Sequence, residues 1–342
     1  MHGVRRTELI NRLRKGRDTF IPSFLKEGDN YGENSGYAGE KKRKAFSAVS
    51  VLYHDIAGSP ISFINNYIPM AGIFIAFKDI DFSLGIFKSK WVGFKNFEFL
   101  FKTSDAWIIT RNTLLYNMAF IVLGTIVGVM MAVLLNELIS ARFRKVYQTV
   151  LLLPQLISMV VVAYIVYAFL NTESGFINYS LLKSIGADGI NWYSEKKHWP
   201  FILVFVNTWK GAGYGCIVYL AAILGIDQSL YESARVDGAG KIRQIFSITL
   251  PLLKPTIITM VMMSIGRIFY SDFGLFYQVT MNSGALYDYT STIDTYVYRA
   301  LLQRNDLAMS SAAAVYQSVV GFVIIVAVNA LVRKIDADNA LF

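Results

Sequence analysis

The sequence has few charged residues, few histidines and one cysteine, and each of these shortages excludes a class of protein or a kind of site. Only 17% of its 342 residues are charged, whereas 54% are hydrophobic and the mean hydropathy is +0.42. A soluble domain carries about a quarter charged residues, so this composition predicts an integral membrane protein. The single cysteine, Cys216, excludes an internal disulfide, and the three histidines (His2, His54 and His198) lack metal-ligand spacing.

Signals for processing and for nucleotide binding are also missing. The first twenty residues are too polar for a secretory signal peptide, and neither end carries a lipidation motif. The one Gly-Lys pair, Gly240-Lys241, is followed by Ile242 and lacks the upstream glycine of a phosphate-binding loop. We therefore expect no ATP hydrolysis by this chain. No nucleophile–base pair or metal constellation indicates a membrane-embedded enzyme either.

Long apolar runs are what the sequence has in abundance. A bilayer core needs about twenty mostly apolar residues per helix. Five runs meet this length, and a weaker one is interrupted by Asn65, Asn66 and Pro69. The six predicted spans are Ile56–Phe77 (the weak one), Trp107–Leu135, Val150–Leu170, Phe201–Leu224, Thr256–Phe276 and Ser311–Val332. The predicted fold class is an all-α integral membrane protein with about six transmembrane helices.

Basic residues fall on one side of these spans. They occur in the N-terminal tail, in the stretch Arg142–Lys145, in the loop after the fourth span and at Arg333 and Lys334. Six spans place both termini on the same side, and the positive-inside rule makes that side cytoplasmic. We expect a multi-pass protein of the cell membrane with both termini in the cytoplasm. This distribution also argues against nucleic acid as a partner, despite the net charge of +9.

The sequence divides near residue 50. Residues 1–50 are basic, and between Asp18 and Glu40 they are rich in Gly, Asn, Ser and charge without any periodicity. This composition predicts a largely disordered cytoplasmic tail. Residues 51–342 contain every predicted span and form the predicted membrane domain.

The polar loop between the fourth and fifth spans contains several residues that are typical of helix starts and helix ends. Ser229 and Glu232 have the spacing of a capping box, and Gly238 suits the left-handed position that ends a helix. Helical periodicity then restarts, and Pro251 and Pro255 mark the start of the next span. The pattern predicts a rigid helix–turn–helix at the membrane surface that another protein binds.

This loop resembles the EAA loop of the membrane subunits of binding-protein-dependent ABC importers. The matching residues are Glu232-Ser233-Ala234, Asp237-Gly238-Ala239, Phe246, Ile248 and Leu250-Pro251. The family usually has alanine at the position of Ser233, and a small residue is kept there. In that family the loop is a coupling helix that docks on the ATPase subunit. The resemblance implies a coupling loop at about residues 226–251, with ATPase contacts from Glu232, Ala234, Asp237, Gly238 and Ala239. The alternatives are that Glu232 acts mainly as a helix cap, and that the loop is an ordinary amphipathic surface segment.

Other stretches, in order along the chain, resemble the sugar permeases of this importer class. They include Tyr67-Ile68-Pro69-Met70, Arg111-Asn112-Thr113-Leu114, Asn191-Trp192-Tyr193, Ser271-Asp272-Phe273-Gly274 and Ile293-Asp294-Thr295-Tyr296. The resemblance covers roughly residues 60–342. It implies a type I ABC importer transmembrane subunit that forms half of the translocation pathway for an oligosaccharide.

The resemblance also implies partners. These are a second permease subunit, an ABC ATPase dimer, an extracellular solute-binding protein that delivers the oligosaccharide, and the surrounding membrane lipid. ATP and magnesium would bind to the partner ATPase, so no cofactor is expected in this chain. An ABC importer permease for a non-sugar solute is the alternative. A secondary transporter is a further one, but its ion-relay carboxylates and inverted repeats are not visible in the sequence.

Polar and aromatic residues inside the spans are candidates for the substrate pathway, because such residues are costly in the hydrocarbon core. Sugars bind to aromatic faces and to planar hydrogen-bonding side chains, and the fourth and fifth spans offer both. The candidates are Asn207, Trp209, Tyr214, Arg267, Tyr270, Asp272 and Tyr277, with Lys210 as a further polar residue of the fourth span. The alternative is helix–helix packing in which Arg267 and Asp272 neutralise each other.

Two glycine pairs at helical spacing predict close contacts between helices. Gly124 and Gly128 lie in the second span, and Gly211 and Gly215 lie in the fourth. Because glycine lets two backbones approach each other, we expect both pairs to serve packing rather than to line a pore.

Overall fold

The computed structural model describes residue 65 and residues 70–138 and 140–335. These residues are mostly helical. The main helices are α1 (Ser104–Asn136), α2 (Ala141–Leu156), α3 (Met159–Leu170), α4 (Trp199–Leu224), α5 (Gln228–Val236), α6 (Lys241–Ile265), α7 (Ile293–Arg304) and α8 (Leu307–Ile335). Shorter helical turns are Ala71–Phe77, Gly85–Lys88, Gly93–Phe97, Phe99–Lys102, Ile177–Leu182, Lys196–His198, Leu275–Val279, Gly284–Leu286 and Tyr287–Thr290.

Four helices of the described part, α1, α4, α6 and α8, are long and apolar enough to cross a membrane. The pair of α2 and α3 passes the same test but is bent by 92°, so the described spans number four, or five if this pair is one span. Only 17% of the most apolar window of α1 is buried, so most of its apolar side chains face outward, as expected for a helix in an apolar environment. Most of the weak span predicted at Ile56–Phe77 lies outside the described residues, as does the N-terminal tail. Its last part, Ala71–Phe77, forms a 3₁₀ helix that packs against α8.

The span predicted at Val150–Leu170 is wrong as a single helix. α2 ends at Leu156 and α3 begins at Met159 on a different axis. Pro154 supplies no N–H to the helical ladder near this end. The Ser158 side chain then caps α3 by accepting a hydrogen bond from the Val161 N–H at 3.4 Å. The break therefore has a helix-breaking residue on one side and a helix start on the other.

The span predicted at Thr256–Phe276 is wrong at both ends. α6 begins at Lys241, and its second α-helical part begins at Leu250, so Pro251 lies in the first turn of that part, as predicted, whereas Pro255 lies inside it. A π-helical stretch, Ile245–Thr249, lies just before Pro251, where a proline leaves the regular ladder one N–H short. At its other end α6 stops at Ile265, and the chain leaves the helix for several residues before the short turn Leu275–Val279.

Close backbone approaches fix α4 against its neighbours. Gly128 of α1 lies against α4, because a Cβ there would stand 3.2 Å from the Tyr219 ring and 3.4 Å from the Gly215 carbonyl carbon. This confirms close contact for one glycine of each predicted pair, whereas Gly124 and Gly211 have no atom within 4 Å of a Cβ position. Three buried clusters follow the helices. They centre on Trp199, on Tyr219 and on Phe269.

The segment before α1 is a small aromatic layer on a two-stranded ladder. β1 (Lys78–Asp79) pairs antiparallel with β2 (Lys90–Trp91), with Lys78 opposite Trp91. The Phe77 ring stacks on Trp91 at 5.6 Å and meets Phe94 edge-on at 5.4 Å. The Asn96 side chain closes this layer by donating hydrogen bonds to the Ala76 and Lys78 carbonyls at 2.9 and 2.8 Å.

Candidate functional site

The loop between α4 and α6 begins with a side-chain cap that differs from the predicted one. Asp227, not Ser229, precedes α5, and its Oδ1 accepts the Ser229 N–H at 2.9 Å. The predicted capping box of Ser229 and Glu232 is therefore wrong, because Ser229 already lies inside the helix. Hydrogen bonds from Ser229 hold the pKa of the Asp227 carboxyl below its usual value, which keeps a negative charge at the positive end of α5.

The other end of α5 has the geometry predicted for Gly238. Its φ is +80°, in the left-handed region that favours glycine. The Gly238 N–H donates to the Arg235 carbonyl at 3.0 Å, and the Ala239 N–H donates to the Ala234 carbonyl at 2.8 Å. This pair of bonds is the Schellman motif. The motif ends α5 abruptly and turns the chain into α6, which confirms the predicted helix–turn–helix.

Side chains tie this helix–turn–helix to the rest of the molecule. The hydroxyl of Tyr231, which is buried, hydrogen-bonds to that of Thr249 at 2.9 Å and so joins α5 to α6. The Lys241 ammonium forms an ion pair with Glu137 at 2.5 Å, directly after the end of α1. Gln244 Nε2 donates to the Ala239 carbonyl at 2.7 Å, within the turn itself. The loop is therefore fixed to the ends of α1 and α6.

The outer surface of the loop is exposed and partly apolar. Glu232, Asp237 and Gly238 are exposed, and Ala234 and Ala239 are half-buried. Three large apolar side chains project beside them: Val236 is 87% exposed, Ile242 74% and Phe246 67%. A rigid surface that combines apolar and acidic groups has the composition of a protein-docking site. The five predicted ATPase contacts belong to this surface, and their role in docking stays a prediction.

A second feature is the helix break between α6 and the turn Leu275–Val279, at residues 266–272. Backbone carbonyls that lose their helical hydrogen bonds inside a span need hydrogen-bond donors from elsewhere in the protein. Asn117 Nδ2 donates to the carbonyls of Ile268 at 2.8 Å and Tyr270 at 3.2 Å, and Gln317 Nε2 donates to the carbonyl of Phe269 at 2.5 Å. Side chains of α1 and α8 therefore supply hydrogen bonds to the backbone carbonyls of the break.

An acid on α7 holds the same break from another side. Asp294 Oδ2 accepts hydrogen bonds from both the N–H and the hydroxyl of Ser271, each at 2.7 Å. Its Oδ1 accepts from Gln317 Nε2 at 3.2 Å. Asn117 and Gln317 were not singled out from the sequence, and Asp294 was named only within a stretch that resembles the sugar permeases. Two of them carried the same signal as the predicted pathway residues, because Asn117 and Gln317 are polar residues within long apolar runs.

The break lines an open groove that brings together four of the seven predicted pathway residues. Asn207, Arg267, Tyr270 and Asp272 line this groove. The other lining residues are Asn117, Phe120, Ile121, Ser264 and Ser271. The groove offers amide, hydroxyl, aromatic and charged groups, which is the combination that sugar recognition requires.

The other three predicted pathway residues lie elsewhere. Trp209 lines an apolar surface groove with Phe201 and Phe205. Tyr277 stacks on Phe273, with the ring centroids 4.9 Å apart, and is fixed in an aromatic cluster. Tyr214 is 60% exposed and does not line the groove.

The structure does not support the alternative in which Arg267 and Asp272 neutralise each other. Within the described residues these two side chains form no ion pair. Asp272 Oδ1 instead accepts the Leu275 N–H at 3.1 Å, at the start of the next helical turn.

Lys210, the further polar residue of the fourth span, serves packing. Its ammonium donates to the carbonyls of Pro154, Gln155 and Ile157 at 3.1, 3.0 and 2.6 Å. These carbonyls lie at the end of α2, where a helix leaves its acceptors unpaired and a positive charge is favourable. Lys210 therefore caps α2 at its bend, which places its charge outside the groove.

Comparison with known proteins decides the family. The model of the family described as binding-protein-dependent transport system inner membrane component matches residues 124–337. The chain belongs to this family. The match covers α5 and the groove residues from Asn207 to Asp272, and it confirms the predicted type I ABC importer permease fold.

Individual relatives cover most of the chain. The polygalacturonan/rhamnogalacturonan transport system permease protein YteP of Bacillus subtilis (strain 168) is 34% identical over 273 residues, which cover 80% of this chain and 84% of that protein. A chain in the crystal structure of a bacterial ABC transporter involved in the import of the acidic polysaccharide alginate is 33% identical, with a TM-score of 0.76. The match covers 86% of this chain and 99% of that chain. A second structure shows the alginate ABC transporter in complex with an alginate pentasaccharide-bound periplasmic protein, with a TM-score of 0.75, 33% identity and coverage of 85% of this chain and 97% of that chain. The chain is therefore similar in sequence and in fold to permeases of polysaccharide importers.

Proposed function

We propose that this permease forms half of the translocation pathway of an ATP-driven oligosaccharide importer. The observation that carries the proposal is the exposed loop around α5, which is rigid, apolar at its surface and tied by Lys241 to the end of α1. Such a loop transmits force only when a partner pushes on it, since the chain has no phosphate-binding sequence of its own. The similarity to the YteP and alginate permeases supports an oligosaccharide as the solute.

The proposed assembly has the partners that this arrangement requires. An ABC ATPase dimer binds ATP and magnesium and docks on the coupling loop, about residues 226–251, through Glu232, Ala234, Asp237, Gly238 and Ala239. A second permease subunit closes the groove, whose residues Arg267, Tyr270 and Asp272 are exposed in this chain alone. An extracellular solute-binding protein delivers the oligosaccharide, as the periplasmic protein in the alginate complex suggests. The chain itself needs no cofactor, and lipid surrounds its spans.

The proposed orientation places the coupling loop in the cytoplasm. The end of α1, the start of α2, the end of α4 and the loop lie together, as the lining of one surface cavity by Asn136, Arg144, Leu224 and Tyr231 supports. Basic residues are concentrated at this end, in agreement with the positive-inside rule. Both termini would then be cytoplasmic, with residues 1–50 as a tail and residues 51–342 as the permease domain of the cell membrane.

The dependence on a separate ATPase gives a direct test. The isolated chain in lipid nanodiscs should hydrolyse no ATP, whereas the complete importer in proteoliposomes should couple hydrolysis to oligosaccharide uptake. An importer assembled with an ATPase subunit that binds but does not hydrolyse ATP serves as the control, and it should take up nothing. ATP turnover by the pure isolated chain, or uptake by the control importer at the normal rate, would contradict the proposal.

A further inference from the structure

The groove at the helix break contains a cationic side chain whose charge has no partner among the described residues. Arg267 is exposed to the groove, and its guanidinium makes no hydrogen bond or ion pair with any residue that the structure describes. Other side chains of the region are engaged, including Asn117 and Lys210, which donate to backbone carbonyls. The guanidinium of Arg267 is therefore a charged group of the groove that is free to bind a ligand.

The two carboxylates near the break do not neutralise Arg267. Asp272 accepts a backbone N–H at the start of the following helical turn. Asp294 accepts three hydrogen bonds, two from Ser271 and one from Gln317, so both of its oxygens have partners in the break. A guanidinium with five N–H donors thus faces an open groove and no carboxylate of the residues that the structure describes.

The position of this arginine makes its lack of a partner informative. Asn207, which lines the same groove, lies about 25 Å along α4 from the end that leads into the coupling loop, and Asn117 lies about 28 Å along α1 from the end beside that loop. The groove is therefore within the spans and not in a terminal loop. Charged groups at such a depth are costly, and they pair with another charge or mark a substrate path.

We propose that Arg267 binds the carboxylate of an acidic oligosaccharide as it passes through the groove, so that the permease is selective for anionic sugars. This inference rests on the proposed function and names the substrate class of the same groove. A carboxylate accepts two parallel hydrogen bonds from a guanidinium, which gives both affinity and orientation. The amide of Asn207 and the ring of Tyr270 are placed to contact the neutral hydroxyl-bearing parts of the sugar.

A carboxylate could reach Arg267 from two sources, the solute or the second permease subunit. The two sources predict different results. If the solute supplies it, loss of the Arg267 charge weakens the binding of acidic sugars alone. If the second subunit supplies it, loss of this charge weakens the assembly of the pair, and acidic and neutral sugars are affected equally.

The test compares matched sugars on the complete importer. Oligogalacturonates and alginate oligosaccharides of two to five units serve as acidic probes, and their carboxyl-reduced forms, of the same length and linkage, serve as neutral ones. Uptake is measured in proteoliposomes, and binding to the complex without the binding protein is measured by calorimetry. The second measurement removes the selectivity of the binding protein itself. Arg267→Met should lower the affinity for an acidic probe at least tenfold, and Arg267→Lys should restore part of it.

Arg333→Met is the matched control, because Arg333 is an exposed arginine in the last turn of α8 and does not line the groove. Arg333→Met should leave the uptake of the acidic probes unchanged. The inference is overturned if the neutral probes bind the wild-type complex as well as the acidic ones. It is also overturned if Arg267→Met keeps full acidic binding, or if the variant loses its second permease subunit on purification. Uptake of neutral sugars alone would leave the proposed function intact, whereas no ATP-dependent uptake of any probe would refute both.

Discussion

At the scale of single residues, three side chains from distant parts of the sequence decide where a helix stops. Asn117, Asp294 and Gln317 supply the hydrogen bonds that residues 266–272 lose by leaving the helix. Each unsatisfied backbone group in a hydrocarbon environment costs several kcal/mol, so the break depends on these partners. The sequence shows that Arg267 and Asp272 are polar, but nothing local to them indicates which helices carry the partners. That is why the break was not predicted, although its polar residues were.

Gly238 gives the sharpest prediction at this scale. Its φ of +80° costs a residue with a Cβ about 1–2 kcal/mol, although no atom lies within 4 Å of a Cβ position there. Gly238→Asp should therefore misdirect the turn after α5 while leaving the spans untouched. We expect normal membrane abundance and pairing with the second permease, together with loss of ATPase association and of uptake. Co-purification measures the ATPase association, and a transport assay measures the uptake, with the variant and the wild type at equal abundance in the membrane.

Gly240 offers a matched control two positions away. It also has open space around its Cβ position, but its φ is −67° and it precedes α6, where aspartate is a favourable N-cap. Gly240→Asp adds the same charge without the backbone cost, so it should retain ATPase association. Wild-type uptake by Gly238→Asp would show that this loop is not the coupling element. Equal loss by the two variants would instead assign the effect to the added charge.

At the scale of elements, α4 is the helix around which the others are placed. Gly213 lets its backbone meet α2 so closely that a Cβ would overlap the Leu151 carbonyl, and Lys210 caps the same helix one turn earlier. Gly213→Ala should push the two helices apart and lower stability by about 1–3 kcal/mol. Thermal unfolding of the detergent-solubilised permease, followed by size-exclusion chromatography, should show a lower midpoint.

Gly211 of the same helix provides the comparison. No atom lies within 4 Å of its Cβ position, and alanine favours the helix over glycine by about 1 kcal/mol. Gly211→Ala should therefore leave the midpoint unchanged or raise it. If the two alanine variants unfold at the same temperature, the contact between α2 and α4 does not depend on Gly213.

The sequence predicted the bounds of helices that have a strong apolar pattern and no helix-breaking residue inside them. It did not predict the places where a helix bends or stops within an apolar run. The spans at Phe201–Leu224 and Ser311–Val332 match α4 and α8 because hydropathy alone decides them. Pro154 and Ser158 indicate the bend after Leu156, but they lie within one long apolar run, and the hydropathy of that run predicts a single helix. The cap of α5 was misplaced by two residues, because Asp227 and Ser229 are both good caps and only the backbone distinguishes them.

At the scale of the whole molecule, the even number of predicted spans fixes a topology that labelling can test. Cysteine introduced at Ser35 or Asn339 should react only from the cytoplasmic side of intact cells. The native Cys216 is buried and gives little background. Asp188→Cys, in the exposed loop between α3 and α4, should react from outside. External labelling of Ser35→Cys or Asn339→Cys would overturn the orientation.

The continuity of α6 has a mechanical consequence. This helix, which includes the π-helical stretch Ile245–Thr249, runs from Lys241, beside the docking surface, to Ile265, at the edge of the break that carries Arg267. Its 25 residues span about 37 Å. A tilt of about 5° at the docking end would displace the far end by about 3 Å, roughly the length of a hydrogen bond. In the proposed assembly, a small tilt of α6 at the end where the ATPase docks would therefore be enough to form or break a hydrogen bond between Arg267 and the solute.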